Sequence, residues 1–210
     1  MPGYKLFAAK GGGSMIVEAA FTLAGVPLEV EYLSWTTLGL EHDDLKVVNP
    51  LMQVPTLVCP DGRIMTESAA ILMHLADLKP ESRLFPAPDH PRRRDFLRFL
   101  MLINTAIYPT FTFGDAPQKW LKGDESAGKV LRETTDDHRK SLWRYAESWA
   151  GEPWFLDDTF SAIDLYLWPM TWWRPGRDWF RTEAPKIHAI GLKVEALPAL
   201  KAVKERQSET

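Results

Sequence analysis

Cysteine is nearly missing: Cys59 is the single one among 210 residues. No internal disulfide can form, which agrees with a reducing compartment. Long apolar runs are also missing; none approaches the ~20 residues a membrane span needs. The opening Met1-Pro2-Gly3-Tyr4-Lys5 lacks the apolar stretch of a secretory signal. Basic charge is not in excess: Lys and Arg number 25 against 28 Asp and Glu, for a net charge of −3. Composition therefore offers no reason to expect nucleic-acid binding. The five histidines show no metal-ligand spacing, and no repeat or low-complexity tract appears. These absences lead us to expect a cytoplasmic protein without metal, membrane or nucleic-acid partners.

Tryptophan, by contrast, is plentiful. Of the nine, those at 143, 149, 154, 168, 172, 173 and 179 crowd the last third of the chain. Side chains of that size belong in a core, a cleft or an interface.

Along the chain, Lys5-Leu6-Phe7-Ala8-Ala9 reads as a short buried strand, with Tyr4 lying before it. Lys10-Gly11-Gly12-Gly13 breaks it, and Ser14 opens a helix whose apolar residues Ile16, Ala19, Ala20 and Leu23 recur at helical spacing. Leu28 to Leu33 alternates like a second strand. Ser34 to Asn49 carries no clear pattern. Thr56 to Cys59 and Arg63 to Met65 flank the turn signal Asp61-Gly62 and form a hairpin. A helix then covers Ser68 to Leu78. Lys79 to Pro91 holds four prolines and reads as a linker.

Beyond it the pattern is helical. One long helix carries Phe96, Phe99, Leu100, Ile103 and Ile107 on a face and closes at Pro109. A second carries Leu131, Leu142, Tyr145 and Trp149. Ser161-Ala162-Ile163-Asp164 has capping-box spacing before the all-apolar Leu165-Tyr166-Leu167-Trp168. Ala196 to Arg206 closes the chain as an exposed helix. The expected fold is an α/β domain over residues 1–79, a linker over 80–91 and an all-α domain over 92–210.

Two stretches carry the chemistry. Gln53-Val54-Pro55-Thr56-Leu57 reads as a strand that starts at a proline, which cannot sit inside a sheet ladder. Pro55 thus marks a strand edge or a special backbone site. Met65-Thr66-Glu67-Ser68-Ala69 puts Glu67 and Ser68 at a helix start, where unpaired N–H groups favour a carboxylate. A fixed backbone edge beside such a helix start suits a small peptide with a free acid.

This arrangement resembles the cytosolic glutathione transferases. Four features carry the resemblance: the Gly-rich turn before Ser14, Asn49-Pro50 ahead of Val54-Pro55, Glu67-Ser68, and Phe160-Ser161-Ala162-Ile163-Asp164-Leu165. It implies a thioredoxin-like N-terminal domain joined to an all-α helical bundle, in a homodimer active in detoxification. It further implies a cis Pro55, a Val54 backbone that pairs with the cysteinyl part of glutathione, and Glu67 and Ser68 on its γ-glutamyl end. Gln53, and more loosely His42, are then candidates for the glycyl carboxylate. The helix after the linker would wall the hydrophobic co-substrate site, through Asn104, Tyr108 and Phe111. Trp172, in the stretch Trp172 to Trp179 that matches no family motif, is a further candidate, against a default of core packing.

Family members activate the thiol with Tyr, Ser or Cys near the end of the first strand. Counted back from Ala24-Gly25, Gly13 falls where a bacterial class has its Cys. Ser14 falls where a serine-using, theta-like class has its Ser. Ser14 is therefore either the thiol donor or only a helix cap. A free thiol has a pKa of about 8.5, and shifting it to about 6.5 requires about 2.7 kcal/mol of preference for the anion. One hydrogen bond to a charged group is worth about 1.5–3 kcal/mol, and a helix N-terminus adds about 0.3–1 kcal/mol. A single hydroxyl at the turn can thus suffice without a general base. The expected activity is glutathione S-transfer to a hydrophobic electrophile. Glutathione-dependent peroxide reduction, dehalogenation, ether cleavage or isomerisation, and non-catalytic binding of glutathione or a hydrophobic ligand, remain alternatives.

Overall fold

The computed structural model describes residues 3–36, 39–40 and 42–208. Met1, Pro2 and Thr210, which bound the expected domains, lie outside the described residues.

The chain begins with β1 (Tyr4–Ala9), turns at the glycines and enters α1 (Ser14–Leu23). β2 (Leu28–Leu33) returns parallel to β1. The patternless stretch that follows holds β3 (Trp35–Thr36), β4 (Gly39–Leu40) and α2 (Asp43–Val48). The expected hairpin is β5 (Thr56–Val58) with β6 (Ile64–Met65), and it leads into α3 (Ser68–Leu78). The four-stranded sheet runs β2-β1-β5-β6, with β5 antiparallel to both of its neighbours. Alternation along β1 separates the two faces. Leu6 and Ala8 join the main core with α1 and α3, while Phe7 and Ala9 pack with Leu33 and Leu45 beneath α2. This is the thioredoxin-like arrangement expected.

The rest of the chain is helical: α4 (Arg93–Leu102), a π-helix at Ile103–Ile107, α5 (Tyr108–Asp115), α6 (Glu125–Glu147), α7 (Ala162–Met170), α8 (Arg177–Glu183), α9 (Pro185–Glu195) and α10 (Lys201–Ser208). Every residue of α7 is buried, so its apolar surface all round makes it the central helix. Its Asp164 accepts from the Ser161 and Phe155 amides at 2.7 and 2.8 Å.

Four expectations need correction. Tyr4 is the first residue of β1, not a residue before it. Its hydroxyl meets His74 Nε2 at 3.1 Å, at the strand end remote from the glycines. Pro109 does not close the helix that precedes it. A proline inside an α-helix lacks an N–H and crowds the carbonyl four residues back. Here the wider π-turn takes that strain: the Tyr108 N–H donates to Ile103, five residues back, and the helix runs on to Asp115. The helical stretch Arg93–Asp115 is then 23 residues long and matches a membrane span by length and composition. Charged residues had hidden it as an apolar run, and its apolar face is committed to the core through Phe96, Phe99, Leu100, Ile103 and Ile107. Lastly, α10 is docked rather than only exposed, because Val203 is buried and Arg206 reaches Glu18.

Candidate functional site

The sheet brings the sequence motifs to one end. β5 pairs with β6 through Leu57↔Met65, and that register continued sets Pro55 against Glu67 and Val54 against Ser68. β1 pairs with β5 through Phe7↔Thr56, which continued sets Ala9 against Val54. The end of β1, the proline edge and the start of α3 thus converge. The Val54–Pro55 peptide is cis.

Asn49 fixes the loop ahead of that edge. Its Nδ2 donates to the Gln53 carbonyl at 3.1 Å and to Thr56 Oγ1 at 2.8 Å, and Thr56 Oγ1 donates to the same carbonyl at 2.7 Å. The Gln53 side chain is exposed. Among the described residues no backbone hydrogen bond takes up the Val54 N–H or C=O, so its main-chain edge is open. Glu67, exposed, caps α3 with φ of 62° and ψ of 106°. That left-handed backbone is costly for a residue with a side chain, and such strain clusters at functional sites. Ser68 is buried, and its hydroxyl is 2.8 Å from that of Tyr166 on α7.

The glycine turn is held from three directions. Gly11 N–H donates to Gln207 Oε1 at 2.9 Å. Trp173 Nε1 donates to the Gly11 carbonyl at 2.9 Å, and Trp35 Nε1 to the Lys10 carbonyl at 3.0 Å. Ser14 follows the turn as the first residue of α1, after an N-cap of Gly13. Its side chain is fully buried. Its hydroxyl donates to the Ala9 carbonyl at 3.2 Å and accepts from the Ala9 N–H at 3.0 Å. It therefore ties α1 to β1 and neither caps the helix nor offers a free proton.

Above the turn stand Asn104, Tyr108 and Phe111. Asn104 lies in the π-helix and donates to the Leu100 carbonyl at 2.8 Å. The Tyr108 ring meets those of Phe111, Tyr166 and Trp173 edge-on, with centroids 6.5, 6.3 and 5.8 Å apart. Burial pushes the Tyr108 phenol well above its ordinary pKa, and neighbouring Tyr166 adds to the rise. Burial also lifts the Tyr166 phenol, to about 12, against the hydrogen bonds with Ser68 and Asn104 that lower it. Phe111 is flanked by Trp173 at 5.3 Å and by the buried Arg139 guanidinium at 4.0 Å. Arg139 pairs with Asp136, which Arg174 also grips at 3.1 Å.

Two expected residues lie elsewhere. Trp172 turns away to pack against Trp168 at 5.5 Å and the Arg177 guanidinium at 5.5 Å, so Trp173 is the indole at the cleft. Both lie in the turn that joins α7 to α8, and the course of that turn separates the two. His42 sits under the Phe7 face of the sheet, with Nε2 3.3 Å from Glu31. Its side chain, with those of Glu31 and Asp44, brings three potential metal-ligand atoms within 4.8 Å. Lys5, 2.6 Å from Glu31, already supplies positive charge there.

Sequence reading singled out Trp172 in the stretch that also holds Trp173, and missed Tyr166 and Gln207 as site residues. Tyr166 sat inside an apolar run, and Gln207 meets the turn across almost the whole chain, so no local pattern marked either.

Comparison with known proteins gives this geometry a context. Residues 14–78 match the family model described as glutathione S-transferase, N-terminal domain. The uncharacterized GST-like protein YncG of Escherichia coli (strain K12) is 36% identical over 204 residues, covering 96% of this chain and 97% of that relative. Glutathione S-transferase GstA of Escherichia coli O157:H7 is 26% identical, covering 98% and 92%. A sphingomonad glutathione S-transferase, solved in complex with glutathione, superposes with a TM-score of 0.79 at 26% identity, covering 98% and 100%. With a relative this similar along its full length, the chain belongs to the glutathione S-transferase family.

Proposed function

We propose that the protein is a glutathione S-transferase that joins the glutathione sulfur to a hydrophobic, aromatic electrophile. The open Val54 backbone edge carries this reading, because it lies against the start of α3 and the end of β1. An extended peptide can add to such an edge through main-chain hydrogen bonds. In this reading the cysteinyl residue of glutathione pairs with Val54 beside Pro55. The γ-glutamyl end meets Glu67 and the amide of Ser68, while Gln53 reaches the glycyl carboxylate. His42, engaged with Glu31, has no part in it. Tyr108, Phe111 and Trp173, with Asn104 behind them, receive the electrophile. Residues 1–79 hold glutathione, 80–91 link, and 92–210 supply the co-substrate wall.

The serine-using assignment requires the Ser14 hydroxyl to leave both of its bonds to Ala9. Ser14 is better read as the pin that sets the turn. We further propose a cytoplasmic homodimer with a role in detoxification. Support for the dimer is exposed apolar surface at Leu97 and Met101, one turn apart on α4, and at Met73 on α3.

The test combines retention on immobilised glutathione with turnover of a chloro-dinitrobenzene. Retention with turnover is expected. Retention without turnover identifies a binding protein, and failure of both removes the reading.

A further inference from the structure

We propose that the phenol of Tyr108 is the hydrogen-bond donor that holds the glutathione sulfur as a thiolate. The inference rests on the transferase reading above and assigns the group that activates the thiol.

The argument starts from the space at the glycine turn. A Cβ built on Gly13 would stand 2.2 Å from the Tyr108 hydroxyl oxygen, far inside contact distance. The phenol thus fills the place that a side chain at position 13 would occupy, at the mouth of α1. That helix carries the partial positive charge of its first amides there, which favours an anion. The hydroxyl itself has no hydrogen-bond partner among the described residues, whereas Ser14, the other hydroxyl at the turn, is spent on Ala9. The ring is steadied on three sides by Phe111, Tyr166 and Trp173. The π-helix that ends at Ile107 sets its direction, and such turns recur at functional sites.

Position and chemistry agree. Val54 lies across from Ala9 in the continued register, so a cysteinyl residue paired there sends its sulfur toward the turn that β1 feeds. The half-buried, unpartnered phenol, raised above its ordinary pKa, keeps its proton at neutral pH, so it acts as a donor and not as a base. In the step itself the thiol proton passes to water, and Tyr108 retains its own. A sulfur lone pair then forms the carbon–sulfur bond to the aryl carbon, and chloride departs with the electrons of the carbon–chlorine bond.

The test measures the ultraviolet absorbance of the thiolate of bound glutathione against pH, with affinity from calorimetry. Tyr108→Phe retains the ring and removes the hydroxyl. It should raise the bound thiol pKa by about one to two units and slow turnover near pH 6.5 by about 10–100-fold, with affinity within about threefold. Gly13→Ala reaches the same group without replacing it. Gly13 has φ of −64°, which alanine adopts freely, so the added methyl acts by displacing the phenol and should raise the thiol pKa as well. An unchanged thiol pKa in folded Tyr108→Phe overturns the proposal while the transferase reading stands, and so does a wild type that binds glutathione without shifting its thiol. Failure of the wild type to bind glutathione removes the transferase reading and this inference together.

Discussion

Ser14 shows how one hydroxyl can be legible in position and not in task. Its place after Lys10-Gly11-Gly12-Gly13 is plain in the sequence, and so is the helix it opens. Its partner is not, because the Ala9 backbone returns to it only once the turn has closed. Replacing it with alanine leaves the buried Ala9 N–H without that partner, at about 1–3 kcal/mol, while the Ala9 carbonyl keeps the Gly12 N–H at 3.1 Å. Ser14→Ala should therefore lower the midpoint of urea unfolding, while turnover per folded molecule stays near wild type. A large loss of turnover at unchanged stability would restore the hydroxyl to the chemistry. Trp172 and Trp173 teach a similar lesson. Two neighbouring indoles look alike in sequence, and only the course of the turn between α7 and α8 sends one to Arg177 and the other to the Gly11 carbonyl. Trp173→Phe keeps an aromatic wall but drops that bond, so it should raise KM for glutathione more than it lowers kcat. Equal KM values by steady-state kinetics would contradict the clamp.

Elements were more legible than residues. β1, α1, β2, the hairpin and α3 stand out through alternation, helical spacing and turn residues, which are local signals. The helix ending expected at Pro109 failed because proline is a local signal too, and the π-turn that accommodates it depends on what Ile103 and Ile107 pack against. In α7 the sequence and the structure agree on the capping aspartate, and that agreement has a pH consequence. Burial lifts Asp164 to about 7, with the Phe155 and Ser161 amides pulling the other way. Unfolded, it ionises near 4, at about 3.9. The folded protein thus holds this proton more tightly, so Asp164 favours folding below about pH 4 and that share is lost as pH rises toward 7. Asp164→Asn, which does not titrate, should be less stable than wild type, with a gap that narrows from pH 4 to 7. A constant gap in unfolding experiments across that range would refute the linkage.

At the scale of the molecule, the two ends of the chain are joined by a cluster the sequence did not announce. Glu18, buried on α1, accepts from Tyr32 at 2.6 Å, from Arg206 at 2.7 and 2.8 Å, and from Gln207 at 3.1 Å. The closing helix reads as exposed in sequence, and nothing local marks Glu18 as its partner. The pair meets across 188 positions. Arg206 is partly exposed, so removing it costs less than breaking a fully buried pair, about 1–3 kcal/mol. Arg206→Ala should lower Tm measurably and make it less sensitive to salt. An unchanged Tm would show that Tyr32 and Gln207 satisfy Glu18 unaided.

The bond from Gly11 to Gln207 also places this site in time. Ribosomes deliver the chain from its N-terminus, so β1, the glycine turn and α3 emerge long before α10 does. Until residue 207 has cleared the exit tunnel, Gly11 waits without one of its clamps. The sheet can form early, yet the turn gains this clamp only once α10 has emerged and docked. A chain stopped before residue 207 would carry β1, the glycine turn and α3 without that clamp.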